Sequence, residues 1–222
     1  MTYEWDFSVV WQYRFVFVRG IVGTLEIFLY CVILSNGLGL GLAFARMSRF
    51  PVVRTLATWS IEILRAVPPL VLIVWIFYCL PILLGVRLSA MTSAVISLSV
   101  YCAAFYAEIF RAGLQAVDKG QVEAGHMVGM TPVQVFRHVR APTAFLVMLS
   151  PYISQTILVF KLTVLAGFIA VGELLYEGRQ LAVQTFRPLE ILTTVAVIYI
   201  ALILPVTLIA ARVERRVIAR YF

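Results

Sequence analysis

Few side chains in this chain carry chemistry, and the most conspicuous is a lysine in an apolar run. Lys161 lies well inside the stretch from Thr143 to Val171. At mid-bilayer a lysine costs about 2.5–3.5 kcal/mol on insertion scales, so it should face a cavity or a partner charge. Two readings fit: a contact to a substrate carboxylate, or snorkelling and ion pairing between helices. Thr163, two residues on, and Glu26, in the outer part of the first apolar run, complete a candidate substrate-pathway set. Glu26 either pairs with Lys161, lines the entrance or is solvated at the interface. Glu62 with Arg65, and Glu108 with Arg111, stand three apart on helical stretches. That spacing suits local ion pairs worth roughly a few tenths of a kcal/mol, or inner-gate contacts between subunits.

No enzyme site accompanies these charges. The chain has no G-x-x-x-x-G-K-[ST], and its two lysines, Lys119 and Lys161, sit in no such setting. Gly37, Gly39 and Gly41 are embedded in apolar helix, where Gly37-x-x-x-Gly41 reads as a close helix-packing pattern. His126 and His138 share a polar stretch without Cys or carboxylate at ligand spacing, so no metal site is expected. Cys31, Cys79 and Cys102 stand singly in apolar runs without a C-x-x-C pair, as packing residues do. No Ser, His and Asp spacing suggests nucleophilic catalysis. Neither a catalytic residue nor a bound cofactor is expected in this chain.

The elements that must place these residues follow from composition. Of 222 residues, 62% are hydrophobic and 13% charged, about half the charge of a soluble domain. With a mean hydropathy of +0.97, the chain reads as an all-α, multi-pass membrane protein. Five apolar runs are expected to span: about Ile21 to Ala45, Val67 to Leu84, Ala90 to Ala107, Thr143 to Val171 and Ile191 to Ala211. Pro68 and Pro69 should bend the start of the second. The stretch from Val52 to Ala66 should lie near the inner surface. Residues 1–19, with Trp5, Trp11, Tyr13 and Phe15, read as an interfacial segment, and 20–222 as one transmembrane domain. Glu4 and Asp6 argue against a signal peptide.

The net charge of +7 does not imply nucleic acid, because the basic residues fall between the apolar runs. With the N-terminus outside, twelve of the eighteen Lys and Arg face inward and five outward, with Lys161 left in the membrane. The expected orientation is therefore N-out, C-in. Arg212, Arg215, Arg216 and Arg220 should meet anionic lipid head groups. Five spans without an internal repeat predict half a pathway, completed by dimerisation.

The polar region from Glu108 to Pro142 is too long for a turn and contains two helix starts. Asp118-Lys119-Gly120-Gln121 offers a polar cap. Thr131-Pro132-Val133-Gln134 is a capping box with Pro at the first helical position. Gly129 between them is a helix stop. The expectation is a helix over about 119–128, a glycine break, and a second helix over about 132–140, with Pro142 before the fourth span. Such an elbow either docks in a groove of a partner or caps the helix bundle.

Glu123-Ala124-Gly125, then Gly129, then Val139-Arg140-Ala141-Pro142, keeps the register of the EAA loop of binding-protein-dependent ABC importer permeases. Gly125, Val139 and Ala141 stand where that loop usually has Ala, Ile and Leu. The resemblance narrows to the polar amino acid group through Gly23-Thr24-Leu25, the segment from Glu62 to Leu70, and Tyr106 to Gly113 followed by Lys119 to Ala124. Thr185 to Glu190, Tyr199 and Glu214-Arg215-Arg216 continue it. It implies a type I importer permease fold, with the loop at 111–142 as coupling helix, in a bacterial cytoplasmic (inner) membrane. Implied partners are an ATPase homodimer that binds the ATP and Mg, a second permease copy or paralogue, and a periplasmic or extracellular solute-binding protein. The implied substrate is a polar amino acid or close analogue, with a faint lean toward acidic ones. One departure is Lys161-Leu162-Thr163-Val164-Leu165, where the group often reads K-D-T-S-L. The rival readings are a non-transporting membrane scaffold and an ion-coupled secondary carrier.

Overall fold

The structure, a computed structural model, describes residues 3–221; the side chains of Lys119, Arg215 and residues 217–221, Arg220 among them, lie outside the described residues. Every regular element among the described residues is helical. A short α1 (Ser8–Gln12) precedes α2 (Arg14–Arg46), α3 (Pro51–Ala66), α4 (Pro69–Tyr78), α5 (Leu80–Leu84) and α6 (Ala90–Gln115). Then come α7 (Lys119–Met127), α8 (Pro132–Val135), a π-turn over Phe136–Arg140 and α9 (Ala141–Leu162). A 3-10 stretch (Thr163–Ile169), α10 (Leu174–Thr185) and α11 (Pro188–Tyr221) complete the chain. Four helices are long and apolar enough to cross a membrane, and five if α3 with α4–α5 counts as one bent span.

The expected bend is present. The helices on either side of Val67 and Pro68 meet at 102°. Pro68 caps α4 from outside and Pro69 takes its first position, where its missing N–H has no partner to lose. Other boundaries moved. The first span starts at Arg14, because Phe15 to Val18 continue the apolar helix without a breaker. Helix α6 runs on to Gln115 rather than ending near Ala107. Arg111 supports those extra two turns, with Nη2 2.8 Å from Glu108 and Nη1 2.5 Å from Gln115. The polar stretch from Gly172 to Pro188 holds α10, a helix that apolar periodicity did not announce.

The described residues divide into two compact units. One comprises the residues up to Ile33, Val67–Ser99 and Ile157–Leu208; the other comprises Leu34–Ala66, Val100–Thr156 and the residues from Ile209 on. The first unit has a core of full-sized side chains, with Phe17, Leu174, Leu181, Ile191 and Val195 buried. The second is built on small ones: Ala43, Ala104 and Ala107 surround Ile61. Small residues let helix backbones approach, which replaces the missing hydrophobic drive within a bilayer. Gly39 belongs to this pattern, since a Cβ there would lie 2.8 Å from the Tyr106 Cβ and 3.0 Å from the Ala103 carbonyl. Gly37 and Gly41 do not: both face open space within this chain, because residues two apart on a helix point to nearly opposite sides.

Candidate functional site

The elbow of the second unit is assembled from local capping chemistry. The Asp118 carboxylate accepts the Gly120 amide at 2.6 Å and starts α7. The helix stops in a complete Schellman motif: the Met130 amide reaches the Gly125 carbonyl at 3.1 Å and the Gly129 amide the His126 carbonyl at 3.0 Å. That motif needs a left-handed residue, and Gly129 supplies it at φ +82°. The capping box then forms as the sequence predicts, with the Gln134 amide on the Thr131 hydroxyl at 3.3 Å and the Thr131 amide on the Gln134 side chain at 2.8 Å. Gly125 and Val135 close the elbow from inside. Both are buried, and a Cβ at Gly125 would lie 3.2 Å from Val135 Cγ2.

The second arm differs from expectation. No break separates it from the fourth span. Pro132–Ile169 is one continuous helical run. Pro142 cannot donate to the carbonyl four residues back, and its ring crowds that carbonyl. The π-turn over Phe136–Arg140 widens the backbone just before it, with the Ala141 amide reaching back to the Phe136 carbonyl. The Thr143 hydroxyl donates to the Val139 carbonyl at 2.9 Å. A proline that sequence reasoning takes as a stop is thus carried inside a helix.

The elbow's outer surface is apolar. Met127 is 88% exposed, Val133 75% and Val128 73%. Phe136 is half exposed. Glu123 and Ala124 are exposed on α7, Val139 is half-buried, and Pro142 is exposed. Glu123 and Arg140 line one cleft of about 620 Å³ with Met47, Leu114 and Val122. Exposed apolar side chains beside charged ones on a polar loop suit a protein-binding surface.

The pairs Glu62–Arg65 and Glu108–Arg111 both form within the chain, at 3.9 and 2.8 Å. A residue that the spacing argument passed over joins them. Arg46, the last residue of α2, binds Glu108 through Nη1 and stands 3.7 Å from Glu62 through Nη2. Arg65 also lies 5.5 Å over the Phe105 ring. The result is one network across α2, α3 and α6. Its half-exposed members contribute little singly, so its value is in fixing helix register.

The membrane charges are not brought together. Lys161, on the last turn of α9, is exposed, and so is Glu26. Among the described residues no ion pair joins them. Thr163 is fully buried and turns its hydroxyl back to the Phe160 carbonyl at 2.7 Å. It stands at the change from α-helix to 3-10 helix within the run Pro132–Ile169. Among the described residues no three His, Cys, Asp or Glu side chains gather as a metal ion would need.

Sequence reasoning missed a buried carboxylate knot in the first unit. Glu173 has no exposed surface and is the N-cap of α10. Its carboxylate accepts the Leu175 amide at 2.9 Å, the Tyr176 amide at 2.6 Å and the Tyr199 hydroxyl of α11 at 2.8 Å. Burial still pushes its carboxyl above the ordinary range. The Thr24 hydroxyl of α2 accepts the Leu174 amide at 3.1 Å. A Cβ at Gly23 would run into the Gly172 carbonyl. A second carboxylate, Glu177, takes Arg19 at 2.5 Å. A third, the fully buried Glu190, straps the N-terminal segment. It accepts the Tyr3 hydroxyl and the Asp6 amide, and Arg187 reaches both Glu190 and the Glu4 carbonyl. Capping rules favour Ser, Thr, Asp and Asn, so Glu173 gave no helix-start signal. The available clue was a carboxylate directly after Gly172, between two apolar spans.

The model of one protein family, described as binding-protein-dependent transport system inner membrane component, matches residues 37–219. The chain is 33% identical over 216 residues to the glutamine transport system permease protein GlnP of Escherichia coli (strain K12), covering 96% of this chain and 98% of that one. It is 30% identical over 212 residues to the arginine transport system permease protein ArtQ of Bacillus subtilis (strain 168), covering 95% and 96%. Among solved structures, an amino acid ABC transporter crystallised with histidines is similar at a TM-score of 0.88 and 30% identity, over 96% of this chain and 100% of that one. An inward-facing MetNI methionine ABC transporter shares the fold, with a TM-score of 0.70 at 23% identity over 91% and 96%. With the family model and full-length relatives in agreement, the chain belongs to the binding-protein-dependent inner membrane components, the multi-pass permease subunits of ABC importers.

Proposed function

We propose that the chain forms half of a translocation pathway for a polar amino acid or close analogue, and that the Glu123–Pro142 elbow couples it to an ATPase on a separate chain. The observation that carries this reading is the elbow itself. It is stiff within, where the Schellman motif, the capping box and the Gly125–Val135 contact fix its angle. It is apolar outside, at Met127, Val128, Val133 and Phe136. It also continues unbroken into the helix that ends at Ile169. A displacement imposed on such an elbow enters the fourth span directly. In the N-out, C-in orientation the ATPase dimer grips the elbow from the cytoplasm, and a loaded binding protein docks outside. A second permease copy or paralogue completes the pathway, and ATP with Mg stays on the ATPase. Glutamine and arginine in the names of full-length relatives support the substrate class. Lys161 is the candidate contact for the substrate carboxylate; unchanged uptake and preference in Lys161→Met would remove it.

The test of coupling is copurification followed by reconstitution. An ATP-hydrolysing chain should come down with this one. Gly129→Ala should leave ATP hydrolysis running while uptake falls about tenfold, the factor expected when a left-handed position takes a side chain, and Glu123→Ala should lower uptake in the same direction. An isolated permease, or variants with normal uptake, would overturn the reading.

A further inference from the structure

We infer that Glu173 is a positioning residue of the transport cycle: with Thr24 and Tyr199 it ties α2, α10 and α11 into one moving body and leaves the 3-10 stretch Thr163–Ile169 as its hinge. The inference rests on the importer reading above and adds to it the buried carboxylate of the first unit.

The choice of residue is the first argument. Capping α10 requires only a short acceptor, and Ser, Thr, Asp or Asn serve that purpose. A glutamate spends an extra methylene, and that length takes Oε2 to the Tyr199 hydroxyl of α11. A fully buried carboxylate is costly, so it persists where all its acceptor capacity is used. Here one carboxylate serves two elements, while Thr24 brings in the third through the Leu174 amide. The contact is also sterically closed. A Cβ at Gly167 would lie 2.7 Å from Glu173 Oε1, and one at Gly20 2.7 Å from the Leu174 Cα. Gly23 and Thr24, noted in the sequence for their resemblance alone, thereby acquire a physical task.

The backbone supplies the second argument. Runs of 3-10 helix beyond three or four residues are uncommon; this one has seven, between the last turn of α9 and the left-handed Ala170. Helix α4, just past the bend of the second span, packs against it. Among the described residues, two non-glycine residues have positive φ, Ala170 at 59° and Phe186 at 55°. They bracket α10 on both sides. Strain of this kind survives where the surroundings over-determine the chain and collects at moving parts. The Glu173 knot is the group that over-determines it.

Tyr199→Phe tests the tie, because it deletes one hydroxyl and leaves Glu173 capping α10. Thr24→Val deletes the other tie. Each is made in the full complex with its ATPase and binding protein. Amide exchange over 163–176 should rise severalfold in each, the effect of losing one hydrogen bond. Substrate moved per ATP hydrolysed, counted per assembled complex, should fall severalfold, with the half-saturating concentration of loaded binding protein unchanged. A merely structural brace would lower the yield of complex and leave that ratio intact. An unchanged ratio in both variants therefore overturns the inference. If the wild-type complex shows no ATPase response to binding protein, the importer coupling fails on its own. The exchange arm then still decides the tie, and protection equal to wild type in Tyr199→Phe overturns it.

Discussion

The elbow and the Glu173 knot are both built from helix caps, yet they are opposite kinds of structure. Every bond that shapes the elbow joins residues at most five apart, from Asp118 to Gly120 and from Gly125 to Met130. The bonds of the knot join α2 to α10 across 150 residues and α10 to α11 across 26. The elbow turns apolar side chains outward and the knot turns charge inward. A locally specified element keeps its shape while a partner moves it. A tertiary knot keeps several elements in register and has no shape of its own without them. The two regions should accordingly fail in different ways.

The largest effect should come from overpacking the knot. Gly23→Val places a branched side chain against the Gly172 carbonyl and should destabilise the chain by about 1–3 kcal/mol. The expected readout is less assembled complex and an earlier thermal transition, with less substrate moved per ATP in what remains. If Gly23→Val assembled normally but transported poorly, the knot would be acting as the elbow does, and the contrast would fail.

How much of this was legible in the sequence follows the same divide. The five-span reading was readable from long apolar runs, and the bend at Pro68–Pro69, the Asp118 and Thr131 caps and the Gly129 stop were readable because each rests on residues close together in sequence. The continuation of the helix through Pro142 was not, because relief came from a π-turn that no residue type announces. Arg46 was missed as the bridge between Glu62 and Glu108, since pairing at three-residue spacing sees one helix at a time. Glu173 was missed for the same reason: its partners Thr24 and Tyr199 are set by the fold. Thr163 was read as part of a pathway; its hydroxyl bonds back to the Phe160 carbonyl, a contact that its residue type alone does not announce.

A milder change on the other side sharpens the comparison. Thr131→Ala removes the hydroxyl of the capping box and should cost about 1 kcal/mol, confined to α8 and the turn before it. Yield and thermal transition should stay close to wild type, while uptake per ATP falls. Thr131→Ser, which restores the acceptor, should recover it. Loss of assembled complex in Thr131→Ala would show that the elbow, too, is held from a distance.

The smallest effect is a slope with pH, and it should belong to the knot alone. Burial pushes the Glu173 carboxyl up, against the pull of the Leu175 amide, the Tyr199 hydroxyl, the Tyr176 amide and the Arg179 charge. An acid with a raised folded pKa contributes stability that is fully present below its unfolded value, near 4.5, and is lost as pH rises through the folded value. Relative to Glu173→Gln, which has no proton to lose there, wild type should therefore lose thermal stability as pH climbs from about 4.5 toward neutrality. Thr131→Ala should run parallel to wild type over the same window, because its bond carries no titrating group. Parallel curves for wild type and Glu173→Gln would mean that the three donors outweigh burial, leaving the carboxylate charged throughout and the knot a permanent ion site rather than a proton-sensitive one.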